Sequence, residues 1–138
     1  MNCTIRRQIT IALENYPGRL AAISSLMAKQ GINIEALTLI DNIEQGVIRL
    51  LTSDPAVCKS LLTDQGFYTI EADVLVVDLQ DDLGQLALVS QTLADAKINI
   101  DYAYGSVARP GDTTRIVFKV SDIQRAFELI ARLTTERS

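Results

Sequence analysis

The chain repeats itself once, and this repeat limits the possible folds more than any other feature of its 138 residues. A shift of 66 positions aligns residues 11–40 with residues 77–106, and nine of the 30 pairs are identical, against roughly two expected at average residue frequencies. After a two-residue insertion the offset becomes 68, and Ser53-Asp54 falls on Ser121-Asp122. An ordered match of this kind predicts two copies of one unit, at residues 1–72 and 73–138.

Each predicted unit follows the order strand, helix, strand, strand, helix, and the first unit adds a further strand. Leu20, Ile23 and Met27 form one helical stripe, which Leu86, Val89 and Leu93 repeat. Gly31 is placed to end the first helix, and Asp54-Pro55 and Asp122 are placed to begin the second helix of each unit. The order β-α-β-β-α-β predicts an α+β fold of ferredoxin-like type.

The second unit lacks an obvious last strand. Tyr68–Ala72 supplies one in the first unit, whereas Thr134–Ser138 is short and polar. We therefore expect Val74–Leu79 to present an open sheet edge, which another chain segment has to cover. Either the long segment Phe67–Leu79 is shared by both sheets, or a second copy covers the edge. The second alternative, a symmetric homodimer, is the prediction made here.

Composition excludes several classes of function. The chain has no histidine, which removes histidine acid-base chemistry and every histidine-containing catalytic triad or metal site. The net charge of −4 argues against nucleic acid and anionic membranes as partners. Cys3 and Cys58 suit a reducing compartment, and no apolar run is long enough to cross a bilayer. We expect a cytoplasmic protein without metal or cofactor.

The turn that leads from the first strand into the first helix carries the most informative local sequence, Leu13-Glu14-Asn15-Tyr16-Pro17-Gly18-Arg19-Leu20. The helix start that follows Gly18 offers amide groups and a positive dipole end to a carboxylate, and Asn15 adds a side-chain amide. In the second unit, Asp81 and Asp82 can pair with an ammonium group near Gly84. Donors for an anion beside acceptors for a cation are what a free amino acid requires.

A purely structural interpretation remains open for the same residues. Both turns can need glycine only for their geometry, and Asn33 and Asn99 can bond to local backbone rather than to a ligand. Cys58 lies on an apolar helical face and is expected in the core, whereas Cys3 lies near a terminus that we expect to be loose.

The pattern Leu13-Glu14-Asn15-x-Pro17-Gly18-x-Leu20, followed by Gly31-x-Asn33-Ile34, resembles the ACT domain, a regulatory module that binds amino acids. The resemblance covers nearly the whole chain, twice. It implies two ACT units side by side, with an effector bound where the strand-to-helix loops meet a paired unit. Residue by residue it nominates Asn15, Tyr16, Pro17, Gly18, Arg19, Leu20, Asn33, Asp81, Asp82, Leu83, Gly84, Gln85, Leu86 and Asn99.

The resemblance predicts a stand-alone, non-catalytic sensor of a small-molecule amino acid, with a metabolic enzyme considered as a further partner. Gly31-x-Asn33-Ile34-Glu35-x-Leu37-Thr38 also resembles the regulatory small subunit of acetolactate synthase. The alternative is therefore a regulatory partner of that enzyme or of another amino-acid biosynthetic enzyme. That subunit has a different second half, whereas here the second half repeats the first. A small enzyme on the same frame is a third hypothesis, since fold does not determine function.

Overall fold

The computed structural model describes residues 1–14, 17–41, 45–80, 84–109 and 113–136. The strands are β1 (Asn2–Leu13), β2 (Ile34–Asp41), β3 (Gly46–Thr52), β4 (Tyr68–Gln80), β5 (Ile100–Arg109) and β6 (Thr113–Val120). The helices are α1 (Arg19–Lys29), α2 (Pro55–Asp64), α3 (Gln85–Asp95) and α4 (Ile123–Glu136). This order confirms the predicted α+β fold with two ferredoxin-like units. Residues 42–44, between β2 and β3, and residues 110–112, between β5 and β6, lie outside the described residues.

The chain forms two compact units that differ from the predicted division at the N-terminus. The first unit is Arg7–Ala72, and the second combines Met1–Arg6 with Asp73–Ser138. Both β1 and β4 therefore contribute one part to each unit. Within the first unit the strand order is β2-β3-β1-β4, the order of a ferredoxin-like sheet.

The second unit has the order β1-β4-β6-β5, so the N-terminal part of β1 takes the position of a fourth strand. As predicted, α4 follows β6 and the unit's own sequence adds no strand within the described residues. The expectation of an open edge at Val74–Leu79 is wrong, because β4 lies between β1 and β6. The shared long strand, one of the two alternatives considered, is what the structure shows.

The repeat holds at the level of strand register. In the first unit Ile9 pairs with Leu50 across β1 and β3, and in the second Leu75 pairs with Phe118 across β4 and β6. Ile9 and Leu75 are 66 positions apart, and Leu50 and Phe118 are 68 positions apart. These are the two offsets of the sequence alignment. Helices α1 and α3 have eleven residues each and begin 66 positions apart. The two units are thus copies of one pattern down to single backbone pairs.

Each unit has its own apolar core. Ile23 and Met27 of α1 are fully buried, as are their counterparts Val89 and Leu93 of α3. Burial of an aliphatic side chain of this size contributes about 1.5–3 kcal/mol, so these residues hold the helices on the sheets. The predicted helical stripes differ at their first members, because Leu20 is 36% exposed and Leu86 is 49% exposed.

The cysteines occupy two different apolar environments. Cys58 is fully buried in the first core, as expected. Cys3 does not lie in a loose terminus, because it belongs to β1 and packs with Met1 and Ile5 against the second core. Burial raises the pKa of the Cys3 thiol to about 12, since a thiolate there would lose its hydration.

We predict that Ile5→Ala destabilises the protein by roughly 1–2 kcal/mol, because Ile5 is a partly buried member of the second core. Thr4→Ala is the matched control, since the neighbouring Thr4 is exposed and should tolerate the change within about 0.5 kcal/mol. Urea unfolding followed by circular dichroism measures both. Equal stability of the two variants would contradict the role assigned to the start of β1.

The raised pKa of Cys3 predicts a pH dependence of stability above pH 9. The unfolded thiol ionises near the ordinary cysteine pKa of 9.0 and the folded thiol only near 12, so the unfolded state loses its proton first. The contribution of Cys3 is therefore fully present below pH 9 and is lost as the pH rises toward 12. Urea unfolding across this range should show a shallower decline for Cys3→Ala than for wild type, and parallel declines would contradict the prediction.

Candidate functional site

The two strand-to-helix turns have the same backbone conformation. Gly18 precedes α1 with φ 94° and ψ −9°, and Gly84 precedes α3 with φ 87° and ψ 0°. Both residues lie in the left-handed region, which glycine adopts without the steric cost of a Cβ. A Cβ added at either position would meet no described atom within 4 Å, so the backbone angle, not lack of space, requires glycine.

The four helices divide into two kinds according to what precedes their first turn. Helices α2 and α4 are capped by carboxylates, because Asp54 Oδ1 accepts from Val57 N–H and Asp122 Oδ1 accepts from Arg125 N–H, both at 3.2 Å. Helices α1 and α3 follow Gly18 and Gly84, which have no side chain to act as a cap.

This difference leaves the starts of α1 and α3 suited to an external anion. Ala22 N–H donates to Gly18 O at 2.9 Å, and Leu88 N–H donates to Gly84 O at 3.0 Å, as the helical pattern begins. The amides before these donors have no acceptor inside an α-helix, and the dipole adds about half a positive charge there. The first turns of α1 and α3 contain no acidic residue. A carboxylate is therefore the natural complement of either turn.

Arg19 connects the first turn to two cavities of the first unit. Its guanidinium carbon lies 5.7 Å from the ring centroid of Phe67, within the range of a cation–π contact. One cavity of about 330 Å³ is lined by Ala12, Leu13, Arg19, Gln65, Gly66, Phe67 and Tyr68. A second of about 480 Å³ is lined by Arg19, Ala22, Ser25, Leu26, Lys29, Gln65 and Phe67.

The second unit has a cavity of about 360 Å³ beside the first turns of α3. It is lined by Leu86, Ser90, Ile100, Ala103, Tyr104, Gly105, Ile116 and Phe118. Its position relative to Gly84 follows from Leu86, which is the second residue of α3. The cavity therefore opens close to the helix start that suits a carboxylate.

The structure brings some of the nominated residues together and separates others. The start of α1 brings together Pro17, Gly18, Arg19 and Leu20, and the start of α3 brings together Gly84, Gln85 and Leu86. Five nominated residues lie outside the described part of the chain: Asn15, Tyr16, Asp81, Asp82 and Leu83.

Asn33 and Asn99 lie away from these turns, at the other end of their sheets. Strand β3 pairs Gly46 with Leu13 at one end and Thr52 with Ile34 at the other, so seven residues of strand separate Asn33 from the first turn. The backbone of Asn33 exchanges two hydrogen bonds with Ser53, each 3.0 Å long.

The second unit repeats this arrangement. The Asn99 backbone exchanges hydrogen bonds of 2.9 and 3.0 Å with Ser121, and its side chain donates to Asp101 at 2.8 Å. The backbones of both asparagines therefore fasten the start of a strand to the end of its neighbour.

Two features beside the turns were missed by sequence reasoning. Phe67 lies in a loop 48 positions after Arg19 and contacts its side chain. No local sequence motif predicts this contact. The cavity of the second unit depends on Ala103 and Gly105, whose counterparts at offset 66 are Leu37 and Leu39. A comparison of the repeats at unmatched positions would have found the second feature.

Comparison with known proteins yields one family and several structural relatives. The family model of the ACT domain pair matches residues 3–136. A crystal structure of a protein from Bacteroides thetaiotaomicron is 28% identical, covers 97% of this chain and 92% of that one, and has a TM-score of 0.87. The ligand-free regulatory subunit of aspartate kinase from Thermus thermophilus covers 96% of both chains with a TM-score of 0.69, and at 13% identity it shows similarity of fold.

Two aspartokinases match this chain over part of its length. The aspartokinase of Corynebacterium glutamicum is 37% identical over 86 residues, which are 60% of this chain and 20% of the enzyme. The aspartokinase of Corynebacterium efficiens is 36% identical over 91 residues, 21% of its length. The match thus spans about a fifth of these enzymes, and similarity of this extent does not transfer the activity of the whole enzyme.

We predict that Gly18→Ala destabilises the fold by about 1–2 kcal/mol, because alanine in the left-handed region brings its Cβ against its own backbone. Gly18→Asn should cost less, since asparagine tolerates this region better. Chemical unfolding of both variants tests the order. Equal stability of Gly18→Ala and wild type would show that the turn does not hold the positive φ described here.

Proposed function

Because this chain belongs to the family of ACT domain pairs, we propose that it is a non-catalytic regulatory protein that binds a free amino acid at the turns beginning α1 and α3. The proposal includes a feature that the family resemblance implies, an effector bound where such a turn meets a paired ACT unit. The Asp81 and Asp82 carboxylates and the Asn15 amide are the groups we assign to the ammonium of the ligand.

One observation carries the proposal more than any other. The chain caps α2 and α4 with its own carboxylates, Asp54 and Asp122, and begins α1 and α3 with glycines. A carboxylate from outside can therefore make at α1 and α3 the contacts that aspartate makes at α2 and α4. The free energy of such a contact at a helix start is about 0.3–1 kcal/mol for an exposed charge and more where the site is partly buried.

A sensor of this kind performs no chemistry on its ligand. Binding stabilises one conformation of the protein over another by the difference in affinity between the two, and that difference is the whole regulatory signal. The signal needs a recipient, that is, another protein whose activity it changes. A relative in fold is the regulatory subunit of an enzyme, aspartate kinase, which favours an enzyme as the recipient over a free-standing role.

We include self-association in the proposal, although the open edge that first suggested it is filled. Leu37, Leu39 and Ile40 on the outer strand β2 are each about 40% exposed, and Leu20 of α1 is 36% exposed. Adjacent exposed leucines on an edge strand favour burial against another chain. A homodimer would have twice the mass of the 15.1 kDa chain in light scattering, and a mass of one chain at high micromolar concentration would contradict this part.

The proposal also includes a cytoplasmic location. Cys3 and Cys58 are both free, which suits a reducing compartment. Within the described residues no helix is long and apolar enough to span a membrane.

The test of the proposed site compares Gly18→Asp with Gly18→Asn by calorimetry against the twenty common amino acids. Both side chains have nearly the same size and tolerance of positive φ, and only aspartate adds negative charge at the helix start. We expect wild type to bind at least one amino acid, Gly18→Asn to weaken binding, and Gly18→Asp to weaken it at least about tenfold further. Gly84→Asp and Gly84→Asn are the matching pair for the second turn.

Two results would count against the proposal. Absence of amino-acid binding by the folded wild type would remove the function. Equal affinity of the aspartate and asparagine variants at both turns would leave a function but move the carboxylate of the ligand away from the helix starts.

A further inference from the structure

The cavity of the second unit is bordered by two strand positions at which the first unit carries larger side chains. Four of its lining residues have counterparts of the same type in the first unit. Leu86, Ser90, Ile100 and Ile116 correspond to Leu20, Ser24, Ile34 and Ile48. Half of the lining residues are thus of the same type in both units.

The difference between the units lies on the outer strand. In the first unit Leu37 pairs with Leu50 and Leu39 pairs with Ile48 across β2 and β3. In the second unit the same positions of β5 carry Ala103, opposite Phe118, and Gly105, opposite Ile116. Two leucine side chains are therefore replaced by one methyl group and one hydrogen atom.

Gly105 is not a glycine that the backbone requires. The glycines with positive φ in the described chain are Gly18, Gly31, Gly66 and Gly84, and Gly105 is not among them. A Cβ at position 105 would lie 3.3 Å from Ile116 Cδ1 and 3.7 Å from Arg115 O. Glycine inside a strand is unfavourable compared with alanine, so what it provides at this position is space.

The cavity accepts apolar groups better than polar ones. Leu86, Ile100, Ala103, Ile116 and Phe118 supply most of its walls. The Ser90 hydroxyl, which also borders it, already donates to Leu86 O at 2.8 Å. A polar group placed there would lose part of its hydration and find few hydrogen-bond partners on these walls, whereas an aliphatic group would lose only its contact with water.

We propose that this cavity receives the aliphatic side chain of the amino acid whose carboxylate binds at the start of α3, so that Ala103 and Gly105 set the specificity of the second unit for an amino acid of leucine size. The inference rests on the proposed function and adds the chemical class of the ligand. Leu86 links the two parts of the site, since it lies in the first turn of α3 and also lines the cavity.

The experiment uses L-leucine and L-asparagine as probes, because the two have the same number of heavy atoms and a similar branched shape. Calorimetry on the wild-type chain should show leucine binding at least about tenfold more tightly, as a hydrophobic pocket discriminates by 10- to 200-fold. Ala103→Leu should weaken leucine binding at least tenfold, and Gly105→Ala should weaken it by a smaller factor.

Ala94→Leu, near the end of α3, is the matched control for Ala103→Leu. It makes the same chemical change at an exposed position of α3 that does not line the cavity, and leucine binding should stay within about twofold of wild type. The first unit already carries leucine at the position equivalent to 103, so the fold can hold this side chain, and circular dichroism verifies it. Methyl NMR adds a direct readout, since leucine should shift the δ1 methyl signals of Ile100 and Ile116 more than those of Ile34 and Ile48.

The outcomes separate this inference from the proposed function. If asparagine binds as tightly as leucine and Ala103→Leu changes neither affinity, the inference is wrong and the proposed function stands. If leucine shifts the methyl signals of Ile34 and Ile48 but not those of Ile100 and Ile116, the inference is likewise wrong and the proposed function stands. If the folded wild type binds none of the common amino acids, both are wrong.

Discussion

The structure depends on one requirement, that the backbone groups at the edge of a sheet find partners. The second unit has a sequence of its own for three strands and two helices, and its first strand would have an unpaired side if nothing else were added. Met1–Arg6 supplies the missing partner, and Met1, Cys3 and Ile5 also complete the apolar core. As a result the repeat of the sequence and the division into compact units do not coincide, since six residues of the first repeat belong to the second unit.

The sequence was sufficient for features that depend on neighbouring residues or on the repeat. The offsets of 66 and 68 reappear as the register of β1 with β3 and of β4 with β6. Asp54 and Asp122 cap the helices for which they were proposed, and Gly31 ends α1 at φ 70°. The partner of the first six residues could not be predicted in this way, because periodicity shows which face of a strand is apolar but not which distant strand lies beside it.

The residues of the candidate site also fall into two groups, those that a local motif reveals and those whose position depends on strand register. The glycines that begin α1 and α3 were visible as a local motif, and the structure shows why each is a glycine. Asn33 and Asn99 were attractive because they follow the same helices, yet the strand register carries them to the other end of the sheet, where their backbones bond to Ser53 and Ser121. The two repeats have also diverged at the edge strands, where leucines on β2 correspond to alanine and glycine on β5.

The position of the first six residues has a consequence for the order in which the chain can fold during its synthesis. Residues 7–72 contain every strand and helix of the first unit, so this unit can form as soon as it has left the ribosome. Met1–Arg6 is made before the first unit, but its partners begin at Asp73 and end in α4. Residues made before the first unit are thus placed only after it, and closing the second unit is a contact of long sequence separation, of the kind that slows folding.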